Sequence, residues 1–562
     1  MERDLGWTCR MIHTSPKIRP QVKRALFLAL SVFAVLSVAG ITLVAAAAAD
    51  ENVTRASKQK PNVLVYIVDD WGWQDTSVPF WKAPTLWNTT FRTPTLERLA
   101  ATGMKFTQAY ACAVCSPSRT SIMTGQNAAR HGVTNWTLNK DGETSHKTAQ
   151  LNAPADWKRN GLQPDQPNIA SILKKQGYFT IHAGKAHWGA NDTPGSNPEN
   201  LGFSVNIAGH AAGGPGHYHG ENNYGNKEVG GHTRPWGIPG LEKYHGSDIH
   251  LTDATTMEAN AALKQASDLK KPFYLYMAHY AVHAPIMEHQ RFFENYEGKN
   301  YPGTTIPISR KEAEYASMVE GIDASLGELL DTIDELGQLD NTLVIVLSDN
   351  GGLTRHARGG SPYKSGANTH CWPLREGKGS AYEGGTRIPL IISWANGTGE
   401  TSLRKPAAIP AGSVCDTPVI IEDIPMTVLD LVGGDELMSQ LPQADGVSLM
   451  PLLNNPTDSR VSSHRPLVFH YPHQWTGRPQ GGYQSHSSIR VGPWKAIYFY
   501  ESSSWELYNL DEDIYESENL SSTNRSKLVQ LAGNPKALLN NRGAMFPYNH
   551  KENREQVMQL PE

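Results

Sequence analysis

Five short, unbroken apolar runs constrain the fold of this chain more than any other feature: Asn62–Val68, Phe179–Ala183, Phe273–Ala278, Leu343–Ser348 and Ile388–Ser393. They are dense in Val, Ile, Leu, Phe and Tyr, and none shows the strict alternation of a half-wetted strand. That pattern predicts strands buried on both faces. Amphipathic segments separate them. From about Lys311 to Leu336, Tyr315, Met318, Val319, Ile322, Leu326, Leu329 and Ile333 recur at helical spacing, and Gly337 supplies a stop. Pro94–Ala101 and Pro167–Lys175 read as shorter helices. Strand and helix in alternation predict an α/β fold, with a large mixed, mainly parallel sheet flanked by helices on both faces. Past about Arg460 the pattern changes to short strands and turns at Leu467–Tyr471, Ser488–Val491, Trp494–Tyr500 and Trp505–Asn509. These predict a smaller C-terminal antiparallel sheet, so that residues 60–460 form the main domain and 461–562 a subdomain. Two stretches carry no period. Gly209–Gly240, rich in Gly, His, Tyr and Asn, reads as a functional loop, and Pro406–Gly412 as a linker.

Charge and cysteine usage exclude several classes. The 51 basic residues nearly balance the 55 acidic ones, for a net charge of −4, which argues against nucleic acid as a partner. At the start of the chain, Lys17, Arg19, Lys23 and Arg24 precede the uncharged, mostly apolar Ala25–Val44, and Ala45–Ala49 follow. Residues 1–49 therefore read as a secretory signal cut near Ala47–Ala49, with an uncleaved anchor as the alternative. A periplasmic or secreted enzyme is expected, with no stable membrane span once the signal is removed. Cys9 lies in that segment, and outside the motif described next Cys112, Cys371 and Cys415 allow at most one disulfide.

The candidate chemistry sits where strands end. Asp69-Asp70 follow the first run, and Asp349-Asn350 follow the fourth. Ligands of open α/β sheets bind beyond the carboxyl ends of the strands. Either pair alone also suits a cap or turn. Two such pairs in the same context point to one hard cation, and an oxygen donor set favours calcium or magnesium over zinc. The run Cys115-Ser116-Pro117-Ser118-Arg119, continuing Thr120-Ser121-Ile122-Met123-Thr124-Gly125, adds a thiol in a segment stiffened by Pro117, and a permanent cation in Arg119. Taken alone it could be a free thiol in a rigid loop.

As a whole that run resembles the signature of the sulfatase family, whose C-x-P-x-R cysteine is oxidised to formylglycine. Asp69-Asp70-Trp71-Gly72 and Ser348-Asp349-Asn350-Gly351-Gly352 are similar to the family's metal motifs. Gly184-Lys185-Ala186-His187-Trp188-Gly189 resembles its G-K-W-H-x-G, with Ala186 where tryptophan is usual. His283, in His283-Ala284-Pro285, matches its H-x-P histidine, and Lys378 lies in a stretch similar to its G-K-G-x-x-x-E-G-G-x-R-x-P, in which Glu383 and Arg387 read as a structural pair. Asp445-Gly446-Val447-Ser448 and Tyr508-Asn509-Leu510 extend the likeness.

The resemblance implies the alkaline phosphatase superfamily and a formylglycine made from Cys115 by a formylglycine-generating enzyme. It also implies one calcium (magnesium as the alternative) at Asp69, Asp70, Cys115, Asp349 and Asn350. Lys378 and His283 would serve the leaving alcohol, His187 would take the proton that releases sulfate, and Arg119 and Lys185 would hold the site. The spacing of the motifs is similar to that of bacterial polysaccharide sulfatases. The implied substrate is a sulfated carbohydrate such as a galactan or glycosaminoglycan, attacked in exo fashion. A metal-dependent phosphatase or phosphodiesterase and an inactive sulfated-glycan-binding protein are the alternatives. His210 and His473 are expected to contact the sugar, against the alternative that they are solvated loop residues. His279 is expected in the core.

Overall fold

The computed structural model describes residues 60–226, 235–359, 361–362, 370–396, 407–475 and 481–561; the expected signal at 1–49 and Pro406 lie outside these residues. Nine described strands form the main sheet: β1 (Asn62–Val68), β2 (Met104–Tyr110), β3 (Phe179–Gly184), β4 (Val205–Ile207), β5 (Phe273–Ala278), β6 (Thr342–Ser348), β7 (Arg387–Trp394), β8 (Ser413–Cys415) and β9 (Val419–Ile420). Their order is β9-β2-β7-β6-β1-β5-β3-β4, with β8 also paired to β2. The centre, from β6 to β4, is parallel, and β7 runs antiparallel to both β6 and β2. The sheet is therefore mixed and mainly parallel, as the apolar runs predict.

Alternation along β1 divides the core. Leu64, Tyr66 and Val68 pack into one buried cluster, and Val63, Val65 and Ile67 into another on the opposite face. Helices α1 (Cys115–Thr124), α2 (Leu251–Asp268), α3 (Arg310–Glu335) and α4 (Asp423–Met438) cover the two faces. Leu263 of α2 and Ile322 of α3 enter the first cluster, while Ile122 of α1 and Leu429 of α4 enter the second. Helix α3 starts where Ser309 accepts a hydrogen bond from Glu312 N, and it buries the periodic residues read from the sequence. The C-terminal sheet, β10 (Leu467–Tyr471), β11 (His486–Val491), β12 (Trp494–Phe499) and β13 (Ser504–Asn509), is antiparallel in chain order. Helix α5 (Arg525–Asn541) packs Leu528 and Leu531 against its Ile489 and Tyr498.

Three expectations need correction. Cys115 does not sit in a loop: it is the first residue of α1, and Pro117 is tolerated because backbone N–H groups in a first turn have no helical acceptor. Residues 407–412 are no free linker, since Ala407 and Ile409 are buried in the second cluster. The described part of Gly209–Gly240 is anchored rather than loose throughout: Tyr218 and Tyr224 are fully buried, and Gly220–Gly225 forms a kinked turn, with Asn223 and Tyr224 in left-handed backbone. The four described cysteines, Cys112, Cys115, Cys371 and Cys415, are all free thiols.

Candidate active site

Strand register assembles the site. Val68 of β1 pairs with Ser348 of β6, so Asp69-Asp70 and Asp349-Asn350 leave the sheet side by side. Ala278 of β5 pairs with Gly184 of β3, which brings Lys185 and His187 to the same edge as the segment leading to His283. Helix α1 presents Cys115 at its N-terminus over these strand ends, and Lys378 approaches from the loop that precedes β7. Asp69, Asp70, Arg119, Lys185, Asp349 and Asn350 are fully buried. Asp70 (φ 59°) and His187 (φ 58°) hold left-handed backbone, a strained conformation for non-glycine residues that the surrounding hydrogen bonds must enforce.

Fixed cations surround three carboxylates. Arg119 Nε donates to Asp349 Oδ2 at 2.8 Å, and its Nη1 donates to Lys185 O at 2.7 Å. Lys185 Nζ lies 2.5 Å from Asp69 Oδ2, and Lys378 Nζ lies 2.7 Å from Asp70 Oδ1. Burial and the neighbouring Asp349 push the Asp69 carboxyl well above its ordinary range, against the pull of Lys185. Burial also opposes ionisation of Asp70 and Asp349, but Lys378 and His283 outweigh it at Asp70, and Arg119 does so at Asp349, so both stay low. The cluster still has unmet acceptor capacity. Asn350 Nδ2 donates to Asp70 Oδ1 at 2.8 Å, whereas the buried Asn350 Oδ1 has no hydrogen-bond partner among the described residues. Asp69, Asp349 and Cys115 offer ligand atoms within 4.8 Å of one another, as do Asp70, Cys115 and His283. An orphaned amide oxygen beside three carboxylates, one of them resisting ionisation, fits a hard divalent cation.

The two histidines are set differently. His187 Nε2 lies 2.8 Å from Thr137 O, so that nitrogen carries the hydrogen, and the buried Nδ1, with no partner among the described residues, keeps its lone pair. Burial, with Lys185 adding to it, holds this imidazole neutral by driving its pKa well down. His283 Nδ1 donates to Ala284 O at 2.6 Å, and its Nε2 is 3.7 Å from Asp70 Oδ2; burial and Lys378 lower it to about 3. Cys115 Sγ is 3.8 Å from Asp69 Oδ1, and burial raises the thiol to about 12.

These groups line a cavity of about 210 Å³ with Trp136, Trp236, Trp475 and Leu353. Lys378 Nζ sits 5.5 Å from the Trp475 ring centre. A Cβ at Gly213 would stand 2.3 Å from the His187 ring, so only glycine fits there. The structure thus brings together Asp69, Asp70, Cys115, Arg119, Lys185, His187, His283, Asp349, Asn350 and Lys378. His473 does not join them. It is fully buried, its Nε2 is 2.8 Å from Thr134 Oγ1, and its ring packs between Trp157 and Tyr471. The expected sugar contact at His473 is therefore corrected to a core role. His210 lines a separate hollow beside the cavity. His279 is a core residue, with Nε2 2.9 Å from Ser325 Oγ. Glu383 and Arg387 form a buried pair at 3.3 Å. At the departure from the usual motif, Ala186 leaves the neighbouring Trp188 to fill the core, where its Nε1 donates to Arg119 O at 3.1 Å. The sequence reading missed the three tryptophans of the cavity; their one signal was a Trp in each of three polar loops.

The model of the family described as sulfatase matches residues 61–434, and that of the N-sulphoglucosamine sulphohydrolase C-terminal region matches 377–539. The chain is 27% identical to a sulfatase of Formosa agariphila, over 85% of this chain and 88% of that protein. It is 28% identical to human N-acetylgalactosamine-6-sulfatase, over 82% of this chain and 76% of that protein. Among solved structures, Ps i-CgsB in complex with k-i-k-neocarrahexaose is similar at 25% identity and a TM-score of 0.64, over 87% of this chain and 95% of that one. The fold and site define a sulfuric ester hydrolase of the alkaline phosphatase superfamily. The chain belongs to the sulfatase family.

Proposed function

We propose that this enzyme hydrolyses a sulfate ester on a sulfated carbohydrate, with formylglycine made from Cys115 by a formylglycine-generating enzyme and one divalent cation, calcium in preference to magnesium. The observation that carries this reading is the position of Cys115: a helix-terminal thiol beside Asp69, in a cavity with Lys378 and two histidines. Held near pKa 12 by burial, the unmodified thiol is almost wholly protonated at neutral pH and is a poor nucleophile, which suits a residue meant to be converted. Asp69, Asp70, Asp349 and Asn350 would hold the cation, which supplies positive field for the sulfuryl oxygens. His187 Nδ1 offers a lone pair to take a proton inside the cavity, and its Nε2 hydrogen is spent on Thr137 O. Lys378, kept charged by Asp70 despite its burial, is the cation that meets charge on the leaving oxygen. His283, neutral and donating its Nδ1 hydrogen to Ala284 O, faces the cavity with Nε2 beside Lys378's partner Asp70, at 3.7 Å. Arg119 and Lys185 hold the carboxylates.

The carbohydrate assignment is supported by the tryptophan-lined cavity, since indole faces offer flat apolar surface with one polar edge. Its volume of about 210 Å³ suits a single sugar unit, and so exo action. Relatives named for N-acetylgalactosamine 6-sulfate and a neocarrahexaose complex point the same way. The basic and apolar start of the chain suggests export to the periplasm or beyond, and among the described residues no helix is long and apolar enough to cross a membrane. Two measurements test the reading: the mass of the peptide containing residue 115, and turnover of a panel of sulfated monosaccharides before and after chelation. Loss of sulfur at position 115 and activity restored by calcium or magnesium are expected. An unmodified cysteine in fully active enzyme, or recovery with zinc alone, would overturn it.

A further inference from the structure

We propose that Tyr218 is a positioning residue for His283: its buried hydroxyl pins the turn Tyr280–His283 and so aims the His283 ring into the cavity. This rests on the sulfatase reading above and deepens it, by naming what holds the histidine that serves the leaving alcohol. Tyr218 Oη lies 2.7 Å from Tyr280 O and 2.8 Å from His283 O, so one hydrogen is shared between the carbonyls at the two ends of the turn. His283 N donates to Tyr280 O at 3.0 Å and closes the turn. Between those ends, Val282 N donates to Asp69 O at 2.8 Å, and Asp69 N donates to Ala281 O at 3.0 Å. The turn that Tyr218 pins therefore carries His283 and is laced to the backbone of Asp69.

The aim of the ring follows that backbone. His283 Nδ1 donates to Ala284 O at 2.6 Å, which ties the imidazole to the main chain beside it. A Cβ at Gly214 would stand 2.8 Å from His283 Nδ1, so the segment that leads to Tyr218 packs directly on the ring. Tyr218 is itself held by a rigid element. Its ring stacks on His250, with centres 5.3 Å apart and planes 10° apart, and its backbone oxygen accepts from Leu251 N at 2.7 Å. His250 caps α2 by accepting from Thr252 N at 3.2 Å, and it stacks in turn on His289, with centres 4.2 Å apart. The start of α2 thus fixes the Tyr218 ring, and the Tyr218 hydroxyl fixes the turn. Tyr218 is fully buried, and burial drives its pKa well up, so the hydroxyl keeps its hydrogen at ordinary pH. Without that hydrogen both carbonyls lose a donor in a dry place, and the turn gains a reason to move.

The test uses the holoenzyme and two esters: the sulfated monosaccharide hydrolysed fastest in the panel above, and 4-nitrophenyl sulfate, whose leaving group needs little help. Tyr218→Phe is expected to lower kcat on the sugar sulfate by about tenfold to 100-fold with KM within about twofold, and kcat on the aryl ester by less than about threefold. In a His283→Ala background, adding Tyr218→Phe should cost the sugar sulfate nothing further, because the positioned group is gone. Gly214→Ala, which presses a Cβ on the ring and leaves the hydroxyl in place, should reproduce the sugar-selective loss. Tyr178→Phe, which removes a tyrosine bond to Pro61 O at 2.7 Å ahead of β1, should change neither rate. A crystal structure of Tyr218→Phe should show His283 Nε2 displaced from its place 3.7 Å from Asp70 Oδ2, or in more than one orientation. Equal losses on the two esters, a loss that adds in full to that of His283→Ala, or an unmoved ring with unchanged kcat would each overturn the proposal. Failure of wild type on every sulfate ester would overturn the reading on which it rests, and the crystal structures would then decide on their own whether Tyr218 holds His283.

Discussion

Cys115 and His187 are the two side chains whose state decides whether this site can turn over. The thiol is buried and protonated, so its work depends on conversion. Cys115→Ala removes the convertible group from a helix start that makes no side-chain cap, and it should abolish sulfate-ester hydrolysis while moving the melting temperature by no more than about 2 °C. Turnover within tenfold of wild type would sink the formylglycine reading. His187 offers a second, more discriminating test, because its ring is wedged against Gly213. His187→Ala should lower kcat by about 100-fold or more, the usual reach of a general base, with little change in KM. Gly213→Ala should give the same kcat-dominated loss without touching any charged group, because the new Cβ would stand 2.3 Å from the ring and must displace it. A loss confined to KM in both variants would make His187 a binding group instead.

At the scale of elements, the strand ends made the catalytic residues legible in the sequence. β1, β3, β5, β6 and β7 are buried on both faces, so their apolar runs are unbroken, and the reading located them to within one residue at each end. Whatever follows such a run must stand at the sheet edge, and Asp69-Asp70, Lys185 and Asp349-Asn350 all do. β2 escaped notice because Lys105, Thr107 and Gln108 interrupt it, and α2 because Thr252, Thr255 and Thr256 are among its buried residues. The cavity tryptophans come from three distant loops, and only the tertiary fold makes them neighbours. His473 misled for the same reason: its local sequence is polar, and its burial comes from Trp157 and Tyr471. The contact between the C-terminal sheet and the Lys378 loop was equally hidden. Lys495 of β12 lies 3.0 Å from Glu383 and 2.9 Å from Glu516, with all three buried, and Glu383 N donates to Glu516 Oε2 at 2.7 Å. Lys495→Met would leave two buried carboxylates sharing no lysine. A loss of about 3–5 kcal/mol in denaturant unfolding is expected, with lower kcat as the loop bearing Lys378 loosens. A change under about 1 kcal/mol would show that Arg387 and Arg490 suffice to neutralise the pair.

Across the whole molecule, the packing that builds so large a core also stores imidazoles in their neutral form. His131, His182 and His279 are lowered to about 3, and His210, His470 and His486 to about 4; His250 and His473 lie well below the ordinary value. Burial is the main cause in every case. The unfolded chain would protonate these groups near pH 6.5, so below that pH it binds more protons than the folded chain, and stability falls as acid is added. Above pH 6.5 both states are neutral and the effect vanishes. Five buried carboxyls act in the opposite sense: burial raises Asp323 to about 6 and Glu422 and Glu516 to about 7, and it lifts Asp69 and Glu312 as well, so acid relieves the cost of ionising them in the fold. By pH 5.5 each imidazole costs up to about 1.4 kcal/mol, and each carboxyl returns no more than a comparable amount. The imidazoles outnumber these carboxyls, and the net loss of several kcal/mol is comparable to the total stability of a folded domain, about 5–15 kcal/mol. The urea midpoint should therefore be flat from pH 7 to 8 and fall steeply between pH 6.5 and 5.5. The same titration on a His470→Asn, His486→Asn double variant should show a shallower fall, because two of the eight groups no longer titrate. A midpoint unchanged down to pH 5 would mean that the carboxyls, rather than the histidines, govern the acid response of this fold.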